Sequence, residues 1–225
     1  MNECKKEKRG GICFYNCDNI EFMKTKSDNY YDLAIVDPPY GIHEKINNGG
    51  RKKVYKGNKF AIMYDEKQWD KKRPPQEYWD ELLRVSKNQI VCGANYFAEK
   101  LPVSRGWVFW DKMGEGLTVV NNELIYTSFD VSIKTFQRCH GLDKGFMADY
   151  KTIHPTQKPT FLYRWLLQNY AKKGNRLLDT HGGGMAIAVA CDLEGFDIDI
   201  CEIDEDYFNK GIKRLDDHKR QLKLF

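Results

Sequence analysis

The sequence lacks long hydrophobic runs. No apolar stretch approaches the roughly 18 consecutive residues that a membrane-spanning helix needs. The opening segment, MNECKKEKRG, includes no apolar stretch of the kind that forms a secretory signal. These absences argue against the integral membrane and secreted classes, and we therefore expect a cytoplasmic protein without membrane contacts.

A regular cysteine framework is also missing. The chain has seven cysteines, an odd number without paired spacing, which favours reduced thiols buried as small hydrophobic side chains over disulfides. Cys4, Cys13 and Cys17 lie close together, but they contain no CxxC pair and no histidine follows nearby. We therefore expect no zinc site and no other bound metal.

Internal repeats and low-complexity segments are absent as well. With 225 residues, of which 41% are hydrophobic and 13% aromatic, the chain is long enough to bury one sizeable core. We expect a single domain spanning 1–225. Strand and helix patterns alternate along the chain, which predicts an α/β fold with a mostly parallel sheet and helices on both faces.

Hydrophobic periodicity sets the predicted elements. The predicted strands are 12–16, 32–36, 89–92, 107–110, 123–129, 131–136, 176–179 and 196–201. The predicted helices are 18–23, 75–86, 160–171, 185–193 and a last one from 206 onward. Strands 123–129 and 131–136 are adjacent in the chain, and we expect them to pair as a hairpin.

The most informative stretch is YDLAIVDPPY, residues 31–40. Its apolar run predicts a buried parallel strand, which ends in Asp37-Pro38-Pro39-Tyr40. Two prolines stiffen this turn and remove two backbone donors. Asp37 and the Pro38 carbonyl can each accept one N–H of an amino group on a flat ring, while Tyr40 stacks on the ring face. The ordinary alternative is an Asp-Pro turn that leaves a strand.

A second site is predicted near the end of the chain. A strand leads into Gly182-Gly183-Gly184, a helix follows, and the next strand ends at Glu202. Glycines let the backbone approach a ligand at the helix N-terminus, and a carboxylate at the next strand end can accept both hydroxyls of a ribose. The pattern is neither a clean GxGxxG nor a GKS/T loop, so alone it indicates only a nucleoside-bearing cofactor. An NAD-dependent dehydrogenase would leave DPPY without a role.

Taken together, the motifs resemble a known enzyme family. DPPYGI, NQIVCGANYF, GWVFWDK, ELIYTSF, HPTQKP, LLDTHGGGMAIAVAC and CEIDEDYF resemble, in this order, the β-class amino-group DNA methyltransferases, in a phage-like variant. The resemblance runs from about 12 to 215. It implies a Rossmann-like methyltransferase fold with circularly permuted motif order, in which the catalytic segment precedes the cofactor segment. It also implies S-adenosyl-L-methionine as methyl donor and double-stranded DNA as partner.

Carried over position by position, the resemblance implies two sets of site residues. The catalytic set is Asp37, Pro38, Pro39 and Tyr40. The cofactor-binding set is Asp37, Gln157, Lys158, Asp179, His181, Gly182, Gly183 and Glu202. His154 and His181 lie in the motifs, and we expect them to position other groups rather than to act as bases.

Two departures from the family pattern stand in the cofactor loop. Many members have Asp-Pro-Phe where this chain has Asp179-Thr180-His181. They also commonly carry Gly-Ser-Gly, whereas here Gly183-Gly184 leads into Met185. A methionine at positive φ would be strained, so Met185 either belongs to an ordinary helix or weakens cofactor binding.

The implied reaction is direct methyl transfer to an exocyclic amine of a flipped base. No covalent intermediate is needed, in agreement with the absence of a Pro-Cys nucleophile motif. The Asp of DPPY favours adenine N6, because cytosine N4 enzymes more often have Ser there. Cytosine N4 methylation, methylation of RNA or of a protein amide, and a degenerate copy that binds DNA without turnover stay open as alternatives, as does a homodimer.

Two stretches without clear periodicity complete the chain. The first, a loop insert at about 41–74, carries ten Lys and Arg against three acids between Lys45 and Arg73. Such a run is either a solvated loop or a surface that follows a phosphate backbone. The second, at about 138–153, is a short candidate recognition region. Because both are short, we expect a short target site or help from a partner chain.

Overall fold

The computed structural model describes residues 4–41, 72–112, 122–138, 153–154 and 156–222. The strands in these ranges are β1 (Lys5–Arg9), β2 (Ile12–Asn16), β3 (Leu33–Val36), β4 (Gln89–Val91), β5 (Trp107–Asp111), β6 (Glu123–Thr127), β7 (Lys134–Gln137), β8 (Arg176–Asp179) and β9 (Asp197–Cys201). The helices are α1 (Asn19–Lys24), α2 (Gln76–Val85), α3 (Thr160–Tyr170), α4 (Ala186–Glu194) and α5 (Glu205–Leu222). Two short 3₁₀ turns, Ala94–Tyr96 and Ala98–Lys100, follow β4.

The strands form one sheet in the order β1-β2-β9-β8-β3-β4-β6-β5-β7. The pairs β2–β9, β9–β8, β8–β3, β3–β4 and β5–β7 are parallel. The pairs β1–β2, β4–β6 and β5–β6 are antiparallel. The predicted mostly parallel sheet is therefore confirmed.

Helices cover both faces of the sheet, as predicted. Alternate residues of β3 point to opposite faces, because side chains along a strand alternate. Leu33 and Ile35 join the core beneath α3, α4 and α5, whereas Ala34 and Val36 join the core beneath α1 and α2. All four side chains are buried, which explains why the strand reads as a continuous apolar run.

The expected hairpin of 123–129 and 131–136 is wrong. β6 lies between β4 and β5, so both of its hydrogen-bonding edges are occupied. β7 instead pairs in parallel with β5 at the edge of the sheet, where Phe136 packs on Trp110 and Trp165. Adjacency in the chain suggested the hairpin, but the strands that compete for the β6 edges come from distant segments.

β1 was not predicted, because KKEKR has no apolar pattern. It pairs with β2 at the opposite edge of the sheet, with Lys5 opposite Asn16 and Arg9 opposite Ile12. Charged side chains are typical of an exposed edge strand, where they discourage pairing with other chains. Backbone hydrogen bonds, rather than side-chain burial, define this strand.

The carboxyl ends of the parallel strands position the candidate site. β3, β8 and β9 run in the same direction side by side, so Asp37, Asp179 and Glu202 come to the same edge of the sheet. Most of the basic insert at 41–74 and of the candidate recognition region at 138–153 lies outside the described residues. Among the helices of the described ranges, none combines the length and apolar character needed to cross a membrane.

Candidate active site

The DPPY turn places a carboxylate and a phenol against a lysine from a distant segment. β3 ends at Val36, and the side chain of the next residue, Asp37, is 16% exposed. Asp37 Oδ1 accepts hydrogen bonds from the Tyr40 hydroxyl at 2.7 Å and from Lys158 Nζ at 3.0 Å. Lys158 Nζ also donates to the Tyr40 oxygen at 2.8 Å. Residues from the DPPY and HPTQKP segments thus form one hydrogen-bonded cluster.

The Tyr40 ring is held in a narrow slot. It stacks on Tyr96, with ring centroids 4.8 Å apart and an interplanar angle of 14°, and it meets Phe97 edge-on. Gly93 approaches so closely that a Cβ there would overlap the Tyr40 ring. Gly93 also has a φ of +60°, so both its conformation and the close approach require glycine.

Glu123 completes the cluster, although its sequence context did not single it out. It is the first residue of β6 and is 8% exposed. Its Oε1 accepts hydrogen bonds from the Gly93 amide at 3.1 Å and the Tyr40 hydroxyl at 3.2 Å, and lies 3.2 Å from Lys158 Nζ. Its Oε2 accepts from Lys112 Nζ at 3.0 Å. The one signal in the sequence that could have identified Glu123 is an acidic residue at the start of an apolar strand.

The cluster balances two carboxylates with two ammonium groups. Burial raises the pKa of Asp37, and Glu123 adds to this rise while Lys158 opposes it. Burial also acts to raise the pKa of Glu123, but Lys158 and Lys112 outweigh it and hold that pKa below its usual value. Of the two carboxylates, Asp37 therefore binds a proton more readily.

Asp37, Cys92 and Glu123 offer ligand atoms that all lie within 4.8 Å of one another. The ammonium of Lys158 contacts both carboxylates, at 3.0 Å and 3.2 Å. A cation already supplies the positive charge that these acids require. We therefore interpret the three residues as part of the buried charge cluster and not as a metal centre.

The glycine loop between β8 and α4 forms the opposite wall of the site. The Gly182 amide donates to the Cys201 carbonyl at 2.8 Å, and the Gly183 amide donates to Glu202 Oε2 at 2.7 Å. Glu202 Oε1 accepts from the Asp204 amide at 2.8 Å. Backbone hydrogen bonds on both oxygens hold the Glu202 carboxylate at the end of β9.

Met185 adopts the left-handed conformation, with φ +52° and ψ +29°, as the N-cap of α4. The alternative of an ordinary helical residue is therefore wrong. Its side chain is fully buried, and a Cβ on either Gly182 or Gly211 would collide with it. Burial of the methionine between these two glycines stabilises a backbone conformation that costs roughly 1–2 kcal/mol in L-residues.

A hydrogen-bond chain fixes the protonation of His181. Asn19 Nδ2 donates to the Thr180 carbonyl and to His181 Nε2, at 3.0 Å each. Because an amide nitrogen only donates, His181 Nε2 accepts and Nδ1 carries the proton, which it donates to Thr180 Oγ1 at 2.9 Å. Thr180 Oγ1 shares a further hydrogen bond with the Tyr78 hydroxyl at 2.8 Å. Burial lowers the pKa of His181 to about 3, so the ring is neutral near pH 7.

The two walls enclose one cavity of about 580 Å³. The predicted site residues that line it are Asp37, Pro38, Pro39, Tyr40, Gln157, Lys158, His181, Gly182, Gly183 and Glu202. Further lining residues that the sequence did not single out as site residues include Cys17, Asp18, Asn19, Asp204 and Tyr207. These residues line the cavity because the order of the strands brings their loops to this edge of the sheet, which the sequence alone does not show.

Asp179 stands behind the cavity wall. It is 1% exposed and is not among the lining residues, while its Oδ1 accepts the His181 amide at 3.0 Å. Its Oδ2 is buried without a hydrogen-bond partner among the described residues. Burial raises the pKa of Asp179 to about 8, with Asp37 and Glu202 adding to the rise. This residue supports the loop rather than facing the cavity.

Solved structures with this architecture are known. The M1.HpyAVI–SAM complex is 16% identical in sequence, with a TM-score of 0.57, over 91% of this chain and 98% of that protein. The PvuII DNA methyltransferase, which is cytosine-N4-specific, is 11% identical with a TM-score of 0.57, over 93% and 90%. TTHA0409 of Thermus thermophilus, complexed with S-adenosyl-L-methionine, is 11% identical with a TM-score of 0.53, over 89% and 91%.

The chain shares the fold of these solved structures. The predicted Rossmann-like methyltransferase architecture is therefore confirmed. No protein-family model and no curated protein matches the sequence. Within this methyltransferase fold the DPPY turn precedes the glycine loop in the chain, with Asp37 before Gly182.

Proposed function

We propose that the protein is a DNA methyltransferase that transfers a methyl group from S-adenosyl-L-methionine to the exocyclic amine of a flipped base, with adenine N6 as the acceptor. One observation carries the proposal. The DPPY turn and the glycine loop with Glu202, separated by more than a hundred residues in the chain, line one cavity. The three structural neighbours, two of them complexes with this cofactor, support it.

The charge of the cavity suits this cofactor. Among the described residues, four carboxylates line it, from Asp18, Asp37, Glu202 and Asp204, against the single ammonium of Lys158. S-adenosyl-L-methionine supplies a methyl group on a positively charged sulfonium and also carries an α-ammonium group. An excess of carboxylates attracts such a ligand, whereas it repels the phosphates of NAD or a nucleoside triphosphate.

Shape and hydrogen-bonding capacity also fit. The volume of about 580 Å³ lies within the range of small-ligand pockets. Gly183 has a φ of +48°, and a Cβ built on it would meet no atom nearer than those of His154 at 3.8 Å. The loop backbone therefore has open space beside Gly183, which lines the cavity. In the proposal, Glu202 accepts the ribose hydroxyls, and Gln157 and Lys158 lie toward the methionine end.

Asp37 and the Pro38 carbonyl orient the acceptor amine. The amine is a poor nucleophile because its lone pair is delocalised into the base. Accepting both of its N–H groups favours a pyramidal nitrogen whose lone pair points at the methyl carbon. Positive charge develops on this nitrogen during transfer, and the Asp37 carboxylate stabilises it.

Tyr40 supplies a stacking surface for the flipped base. Tyr96 already covers one face of its ring, so the base stacks on the opposite face or displaces Tyr96. The proline pair and Gly93 keep the ring in place before the base arrives. This preorganisation lowers the entropy cost of holding the base.

The choice of adenine rests on Asp37. In the family that the sequence resembles, Asp at this position favours adenine N6 over cytosine N4 as the acceptor. The cytosine-N4-specific PvuII enzyme shares the fold, so the fold alone does not choose the base. The basic stretch between Lys45 and Arg73 supports nucleic acid, rather than protein, as the substrate.

The test is transfer of tritiated methyl groups from S-adenosyl-L-methionine to unmethylated genomic DNA, with nucleoside digestion and mass spectrometry. Wild type is compared with Asp37→Ala and with Asp130→Ala, at an exposed aspartate that does not line the cavity. We expect N6-methyldeoxyadenosine from wild type and Asp130→Ala, and at least about a 1,000-fold loss in Asp37→Ala. N4-methylcytosine would correct the base, and label only on RNA or protein would contradict the proposal.

A further inference from the structure

Asp37 and Glu123 compete for the same two donors. The Tyr40 hydroxyl lies 2.7 Å from Asp37 Oδ1 and 3.2 Å from Glu123 Oε1. Lys158 Nζ lies 3.0 Å from the first oxygen and 3.2 Å from the second. A tyrosine hydroxyl has one proton, so it serves one acceptor at a time, whereas the three N–H groups of Lys158 serve both carboxylates together. A shift of a few tenths of an ångström therefore moves the Tyr40 hydroxyl from one carboxylate to the other.

The position of Glu123 is imposed by the sheet. β6 pairs with β4 on one side and β5 on the other, and Glu123 lies opposite Trp110. Its carboxylate is 9% exposed, and burying a charge here costs several kcal/mol before its partners compensate. A buried ion pair is weak evidence for stability, since apolar residues often replace one at no loss. Stability alone therefore does not explain a glutamate at this site.

We propose that Glu123 is a positioning residue that receives the Tyr40 hydroxyl, and keeps its contact with the Lys158 ammonium, when Asp37 turns to the amine of the target base. The inference rests on the proposed function, because it assigns Glu123 a role in that reaction. Both donors that contact Asp37 among the described residues fall on Oδ1, so releasing the Tyr40 hydroxyl frees hydrogen-bonding capacity on that oxygen. Glu123 Oε1 keeps the released hydroxyl satisfied, which lowers the cost of that exchange.

The charge of Glu123 has a second consequence for the reaction. The bond from the amine nitrogen to the methyl carbon forms as the carbon–sulfur bond breaks and leaves its electron pair on sulfur. Positive charge moves to the nitrogen, which then releases one proton to solvent. With Glu123 ionised, the four side chains Asp37, Glu123, Lys112 and Lys158 are neutral together. Without it they carry a net positive charge beside the developing cation, which opposes the transfer.

The test is Glu123→Gln, which keeps the shape and removes the charge. We expect kcat for methyl transfer to fall about 100-fold, while KM for DNA and Kd for S-adenosyl-L-methionine change less than about 3-fold. Glu194→Gln is the matched control. Its carboxylate is 16% exposed and pairs with Arg164 at 2.6 Å, outside the cavity. We expect Glu194→Gln to keep the wild-type kcat.

The pH dependence of kcat distinguishes a positioning role of Glu123 from a merely structural one. Titratable groups among the described residues that interact with Asp37 are Lys158, Glu123, Tyr40, Tyr78, Cys92, Tyr163 and Asp179. Repulsion from Glu123 raises the pKa of Asp37, so removing that charge lowers it. Because Asp37 must be ionised to accept the amine, we expect the acidic limb of kcat to move to lower pH in Glu123→Gln. Burial is the largest cause of the raised pKa of Asp37, so loosened packing would also lower that pKa. Glu123→Asp, which shortens the side chain but keeps the charge, distinguishes the two causes.

Glu123→Asp provides a second variant if the glutamine protein does not fold. It keeps the charge but withdraws the carboxylate from Tyr40 and Lys158, and we expect about a 10-fold loss of kcat with an unmoved acidic limb. A wild-type kcat in Glu123→Gln, or in Glu123→Asp if only that variant folds, would overturn the inference. Absence of DNA methylation by the wild-type protein would instead overturn the proposed function.

Discussion

The two walls of the cavity are built by different physical means. The DPPY wall is made of charged and aromatic side chains, with Asp37 and Lys158 lining the cavity and Glu123 behind them in contact with Lys158. The glycine-loop wall is made of backbone, held by amide hydrogen bonds to Glu202 and by the buried Met185. Electrostatics therefore governs the first wall, whereas close packing and backbone conformation govern the second.

This contrast assigns different work to the two walls. A charge cluster responds to a change of charge nearby, which suits the wall where positive charge would develop in the proposed methyl transfer. The glycine loop is held by backbone hydrogen bonds and by packing, with His181 neutral near pH 7, which suits the wall that binds the cofactor in the proposed function. Variants on the two sides should therefore fail in different ways.

The largest expected effect is on the charged wall. Lys158→Met leaves the Asp37 and Glu123 carboxylates close together and buried, and we expect the free energy of unfolding at pH 7 to fall by about 3–5 kcal/mol. The loss should shrink as the pH falls, because repulsion raises the carboxyl pKa in the folded variant and a bound proton removes it. Urea unfolding at pH 7 and pH 5 measures both.

Lys87→Met is the control for that variant. Lys87 pairs with Asp32 at 2.7 Å, but its side chain is 54% exposed. A surface pair of this kind contributes about 0–1 kcal/mol. Equal losses in the two lysine variants, or a loss in Lys158→Met that does not depend on pH, would contradict the electrostatic account of this wall.

The next effect concerns the packed wall. Met185→Gly relieves roughly 1–2 kcal/mol of backbone strain, but it removes a buried side chain whose loss typically costs about 2–5 kcal/mol. We expect a net destabilisation of about 1–3 kcal/mol in thermal or urea unfolding, because cavity formation outweighs relief of strain.

Asn29→Gly offers a direct comparison. Asn29 also has a positive φ, +55°, but it is exposed and loses no buried contact on replacement. Its stability should change by no more than about 1 kcal/mol in either direction. If Met185→Gly proved as stable as wild type, the strain at Met185 would equal the stabilisation from its packing and contradict this prediction.

The smallest expected effect is on cofactor binding alone. Glu202→Gln retains an oxygen for only one of the two backbone amides and loses the negative charge, and we expect Kd for S-adenosyl-L-methionine to rise about 10-fold by calorimetry. At saturating cofactor, kcat should stay within about 3-fold of wild type, since Glu202 touches no reacting atom. Glu205→Gln, at a side chain that is 67% exposed, is the control. A loss of kcat in Glu202→Gln with an unchanged Kd would contradict the assignment of cofactor binding to the glycine-loop wall.

Much of the fold was accessible from local patterns. β3 is a central parallel strand with a continuous apolar sequence, and amphipathic spacing identified α2 and α3. Two features of the sheet, β1 and the pairing of β7, were not predicted, for different reasons. β1 is charged throughout, so it carries no burial signal, and the partner of β7 depends on strands that lie far away in the chain.

The residues of the candidate site also divide into those that the sequence identified and those that it did not. Asp37 and Glu202 stood in motifs with a local physical reason, and Gln157 was assigned through the family resemblance. Glu123 opens the ELIYTSF motif and Asn19 stands in no motif, but neither was assigned to the site, because their roles arise from contacts with Tyr40 and His181. Asp179 was assigned to the cofactor by its motif, but it lies behind the wall and supports the loop.

The sequence by itself determined the alternation of strands and helices, the stiff DPPY turn and the chemistry of the motifs, because these depend on neighbours within a few residues. Only the tertiary structure decided that Lys158 is shared by Asp37 and Glu123, that Met185 is packed between two glycines, and that His181 accepts at Nε2. Charge balance, close packing and protonation depend on atoms brought together from distant segments, and no local pattern specifies them.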